Sequence, residues 1–138
     1  SRLYPWLGYL FDADGYLYWG GNIYRGADPY KTSVGPLPNG SQTPGHPPGD
    51  NWMFYPTDNG LVGSMRMIAF REGMLDHTLL TMLAEQDRAA ADAVMADIAK
   101  STTDYARIPA PYHAARRALL QALGERGTTR QDRSVGAD

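Results

Sequence analysis

Residues 14–22 read Asp14-Gly-Tyr-Leu-Tyr-Trp-Gly-Gly-Asn22. Three aromatic residues in a run of four favour an extended backbone, and the flanking glycines punctuate it. A half-exposed strand alternates apolar and polar positions. This run is apolar on both faces, so residues 16–19 are expected to form a strand buried on both sides. Such a strand needs neighbours to pair its N–H and C=O groups. They must come from the segment that follows or from sequence outside this chain.

The flanking stretches are helical or irregular. In residues 1–11, Leu3, Trp6, Leu7 and Leu10 recur at helical spacing, and Pro5 falls in the first turn, where its missing N–H matters least. Residues 12–15 are a turn. Residues 22–63 hold most of the ten prolines and show no periodicity. A loop of that length in a compact domain is more often functional than structural. Within it, residues 50–56 form an aromatic island, read as a short strand or a loop folded back on the core. Ser64 is a suitable N-cap for a helix running to residue 86, with Met65, Ile68, Leu75, Leu79, Met82 and Leu83 on its apolar stripe. Asp87 is expected to cap a helix over 88–100, and a last helix is expected over 111–123, ending near Gly124. Residues 125–138 are polar and are expected to be disordered. The pattern is α/β, but mostly helical as an isolated chain.

Composition narrows the function. The 138 residues carry a net charge of -2, which gives no reason to expect a nucleic acid or an anionic membrane as partner. There is no cysteine, so disulfides and thiolate metal sites are excluded. No apolar run approaches membrane-spanning length, and no signal peptide is visible at residue 1. His46, His77 and His113 lack metal-ligand spacing. Phosphate-cradling glycine motifs and a nucleophile elbow are absent as well. Neither a metal nor a cofactor is expected.

Two constellations bear on chemistry. In the first, Tyr18 and Trp19 end the expected strand, and Asn22 follows two glycines. Aromatic faces pack against the C–H face of a pyranose, while an amide bonds its hydroxyls. The alternative is that Tyr16, Tyr18 and Trp19 are core aromatics. The second comprises Arg66, Arg71, Glu72 and Asp76 on the long helix, a charged set suited to ion pairs with neighbouring elements. Glu72 and Asp76, four residues apart, could be read as a catalytic carboxylate pair. Their place in mid-helix argues against it, since barrel enzymes carry catalytic groups on strand ends and loops.

Taken together, Arg2-Leu-Tyr-Pro-Trp-Leu-Gly-Tyr-Leu-Phe11, Asp14 to Asn22, Asp28-Pro29, Asp50, Tyr55-Pro56, Ser64-Met-Arg66 and Arg71-Glu-Gly-Met-Leu-Asp76 resemble the end of the glycoside hydrolase family 123 catalytic domain and its uncharacterised bacterial relatives. Thr103-Asp-Tyr105, before a helix rich in Ala and Arg, is similar to how those chains finish. The resemblance implies the C-terminal segment of a (β/α)8 TIM barrel. Residues 1–11 would be helix 7, residues 16–19 strand 8, residues 22–63 a long loop and residues 64–86 helix 8. Residues 87–124 would be C-terminal helices packing on it. A whole barrel takes about 250 residues, more than this chain has.

The resemblance also implies removal of β-linked N-acetylhexosamine, N-acetylgalactosamine above all, with the substrate's acetamido group as nucleophile and an adjacent Asp-Glu pair in support. No adjacent Asp-Glu pair occurs in this chain. The expected contribution is thus an aromatic wall of the sugar subsite, Tyr18 and Trp19 with Asn22, and no catalytic residue. Arg66, Arg71, Glu72 and Asp76 carry over as structural ion pairs. The expected partners are a glycan substrate and the remaining barrel segments, upstream or in another chain, without which the fragment would be inactive. Family substrates imply secreted or periplasmic placement. The competing reading is a non-catalytic carbohydrate-binding or scaffold module.

Overall fold

The computed structural model describes residues 1–18, 20–37, 39, 45–48 and 51–135, with side chains described through residue 126. Its elements are α1 (Leu3–Leu10), the strands β1 (Phe54–Thr57) and β2 (Gly60–Gly63), then α2 (Met65–Gln86), α3 (Arg88–Ala96) and α4 (Pro109–Val135). The architecture is mixed α/β and mostly helical, and the sheet is the two-stranded β1-β2 pair. The chain divides into two compact units, residues 1–2 with 17–71 and residues 3–16 with 72–138.

The helical unit has a dry core. Trp6 of α1, Leu80 and Leu83 of α2, Met95 of α3, Ile98 just after α3, and Leu119 of α4 are all buried, and Tyr112 meets Trp6 edge-on at 6.2 Å. Burying each large apolar side chain contributes about 1.5–3 kcal/mol, so this cluster drives the unit's folding.

Local chemistry sets the helix ends. At the end of α1, Asp12 adopts φ +52°, Asp12 N–H donates to the Tyr9 carbonyl and Ala13 N–H to that of Gly8 at 2.9 Å. This pattern satisfies carbonyls that the helix leaves open, and aspartate tolerates the left-handed backbone it needs. Ser64 Oγ accepts from Met67 N–H at 3.3 Å as the N-cap of α2. Asp87 Oδ1 accepts from Ala90 N–H at 3.0 Å as the N-cap of α3.

The other unit is built around the hairpin. Its register pairs Phe54 with Gly63 and Thr57 with Gly60, leaving Asp58-Asn59 as the turn. Gly60 lies at φ +127°, where a side chain would be strained. The loop expected over 22–63 thus contains a sheet at its end.

Three expectations are corrected. Residues 16–18 form no strand, and Leu17 is 93% exposed. The segment that follows pairs as the β1-β2 hairpin, and neither strand takes residues 16–18 as a third. α3 stops at Ala96, short of Lys100, because Ile98 and Ala99 both turn back to the Met95 carbonyl. α4 spans Pro109–Val135, where a helix ending near Gly124 was expected. Side-chain links offset that glycine's weak helix propensity. Gln121 bonds Glu125 at 2.9 Å, and Arg126 pairs with Asp87 at 2.5 Å.

Leu83→Ala should destabilise the chain by about 2–5 kcal/mol in chemical denaturation. Leu120→Ala, at a half-exposed site on α4, should stay within about 0.5 kcal/mol.

Candidate functional site

Of the residues expected to form the sugar wall, Tyr18 is half-buried and Asn22 is exposed, while Trp19 lies outside the described residues. The hairpin holds the approach to Asn22. Phe54 N–H donates to the Gly21 carbonyl at 3.1 Å, and a Cβ on Gly21 would sit 3.0 Å from the Phe54 ring. A side chain at position 21 would have to displace the Phe54 ring by a few tenths of an ångström. Asn22 is therefore presented beside the first strand, with no hydrogen-bond partner for its amide among the described residues.

Around the hairpin, tyrosines are tied by their hydroxyls. Tyr24 donates to the Phe54 carbonyl at 2.9 Å and Tyr30 to that of Pro56 at 2.8 Å. The Tyr30 and Tyr55 rings meet at 5.3 Å. Asp28 closes the turn before Tyr30, accepting from Tyr30 N–H at 2.9 Å and pairing with Lys31 at 3.2 Å. The backbone hydrogen bond, then the lysine, lowers its pKa below the usual carboxylate value.

Arg66 belongs to this unit. Its Nη2 donates to the Trp52 carbonyl at 3.1 Å and to the Tyr55 hydroxyl at 3.2 Å. An ion pair was expected, but no carboxylate among the described residues bonds it. Trp52 is 1% exposed and sits at φ +59°, a backbone region costly for a bulky residue. Trp52 Nε1, Asn51 Nδ2 and Arg66 Nε are buried without partners. All three are N–H donors, so any group completing them must supply acceptor oxygens.

The acidic residues on α2 have a different role. Asp76 is fully buried. Its Oδ2 accepts from Trp6 Nε1 at 3.3 Å and its Oδ1 from Arg116 Nε at 2.5 Å. Arg116 also donates to Glu72 Oε2 at 2.5 Å and to the Glu72 carbonyl at 2.7 Å. Burial opposes the guanidinium's charge, but the hydrogen bonds to Glu72 and Asp76 outweigh it, and its pKa is raised. Both Asp76 oxygens are engaged and the residue has no solvent access. Arg116, the partner of both carboxylates, went unnoticed in the sequence because nothing local marks it across forty residues. Arg71 is exposed.

No helix among the described residues is long and apolar enough to cross a membrane. Nor does any group of three or more His, Cys, Asp or Glu among them stand ready to hold a metal.

Gly35→Ala tests the packing of this unit. The new Cβ would lie 2.1 Å from Asn51 Nδ2, and Asn51 is itself buried. The substitution should cost about 1–3 kcal/mol, and Trp52 should become accessible to an aqueous fluorescence quencher.

Among curated proteins, none matches the chain at a significant level. Residues 1–83 match the family model described as the catalytic domain of glycoside hydrolase 123. The match takes in α1, the residues 14–22 motif, the hairpin and α2 up to Leu83, which is more than half of the chain. The chain therefore belongs to the glycoside hydrolase 123 catalytic-domain family.

Proposed function

We propose that this chain is the C-terminal portion of a retaining, substrate-assisted glycoside hydrolase that acts on β-linked N-acetylhexosamine, and that it contributes one wall of the sugar subsite. The family match over residues 1–83 carries this reading and supports glycoside hydrolysis as the general activity. The wall comprises Tyr18 and Trp19 as ring-stacking surface and Asn22 as a partner for sugar hydroxyls. Support for Asn22 comes from its exposure and from the hairpin that fixes Gly21 beside it.

The catalytic carboxylates lie outside this chain on this reading. No adjacent Asp-Glu pair occurs in it, and the one carboxylate deep in the helical core, Asp76, is committed to Trp6 and Arg116. Residues 16–18 are the second support. They are strand-forming but form no strand here, and Leu17 stands in solvent. A neighbouring barrel strand would cover Leu17 and supply the missing ladder. The partners on this account are the remaining barrel segments and a glycan, and the setting is secreted or periplasmic.

The test compares hydrolysis of p-nitrophenyl N-acetyl-β-D-galactosaminide by this chain alone and by the product of its full reading frame. The chain alone should be inert and the longer product active. Hydrolysis by the chain alone, or a reading frame with no further strand-helix sequence and no activity, would overturn the proposal. The second outcome would favour a non-catalytic module.

A further inference from the structure

An open cleft of about 310 Å³ lies within the helical unit. Tyr4 and Phe11 line it from α1 and its end, Asp14 and Tyr16 from the turn that follows, and Met74 and His77 from α2. Its volume is at the small end of the roughly 300–1,000 Å³ typical of ligand pockets. Tyr4 and Tyr16 stack with ring centroids 5.1 Å apart and planes inclined by 27°. Tyr4, Phe11 and Tyr16 each remain about half exposed, so aromatic surface faces the opening.

We propose that this cleft binds an organic ammonium group. Charge decides the occupant. Asp14 is the one carboxylate in the lining, is exposed, and forms no hydrogen bond or ion pair among the described residues. No lysine or arginine lines the cleft, and His77 is its one basic side chain against the Asp14 carboxylate. A wholly apolar occupant would cover the Asp14 carboxylate and leave it unpaired, which is unfavourable. A metal ion would find Asp14 and His77 as its only ligands of the usual kind, too few for a protein metal site. An ammonium group satisfies every wall at once. Its charge meets the carboxylate and the negative faces of the tyrosine and phenylalanine rings, and its methyl or methylene groups cover Met74.

The test titrates the full 138-residue chain with choline and with neohexanol, the uncharged isostere in which carbon replaces the ammonium nitrogen. The signals followed are the ring protons of Tyr4 and Tyr16. Choline should shift them saturably, and neohexanol should bind at least about tenfold more weakly. Asp14→Asn, at a surface position, should leave the fold intact by circular dichroism and weaken choline to a similar degree. Equal binding of the two probes would reduce the cleft to an apolar groove and overturn the proposal. So would failure of choline to bind, or unchanged choline binding by Asp14→Asn.

Discussion

A single buried carboxylate organises the helical unit. Asp76 is fully shielded from water, and an unpaired charge in that position would be strongly destabilising. Two donors offset the cost: the Trp6 indole from α1 and the Arg116 guanidinium from α4. Since those donors come from opposite ends of the sequence, satisfying Asp76 requires α1, α2 and α4 to be placed together. Glu72, one turn earlier on α2, fixes the fork of Arg116 a second time through its carboxylate and its backbone carbonyl. The apolar core then closes around this knot, with Leu80 and Leu83 one and two turns further along the same helix.

This arrangement bears on what the family match means. The matched residues end at Leu83, yet Arg116, Tyr112 and Leu119 of α4 supply the counter-charge and part of the core for residues inside the match. The helices after residue 83 are therefore structural components of this chain's helical unit and not an appended tail. The same geometry ties Asp76 to Trp6 and Arg116 inside the helical core. In the other unit the chemistry is of the opposite kind. Buried donors at Asn51, Trp52 and Arg66 lack acceptors, and the exposed amide of Asn22 sits beside the hairpin. A carbohydrate reading draws on that second unit, and the first supplies support.

The sequence was most legible where one local rule applied. The caps at Ser64 and Asp87 follow from side-chain type, and the structure has both caps and the helix between them, but Met65, Ile68, Leu75 and Met82 of the expected apolar stripe are exposed. Reading failed where pairing is non-local. The run at residues 16–18 has strand-forming composition, but a strand exists only where a neighbour completes its ladder, and none does here. The hairpin was only half seen. Residues 50–56 suggested a strand, and Asn59-Gly60 was the available turn signal, but β2 is too short and glycine-rich to show a pattern. Gly124 misled for a related reason, since the contacts that carry α4 past it involve Asp87 and Glu125 and are invisible to propensity. The acidic pair on α2 was expected to make ion pairs with a neighbouring element, whereas Arg116, its partner forty residues away, was not singled out.

The central claim is that Asp76 and Arg116 act as one unit. A double-mutant cycle measures this directly, with Asp76→Asn, Arg116→Met and the double variant compared by chemical denaturation. A favourable coupling free energy of about 0.5–3 kcal/mol is expected, with the double variant less destabilised than the sum of the single changes. Additivity within about 0.3–0.5 kcal/mol would show that the two residues do not depend on each other and would contradict the account.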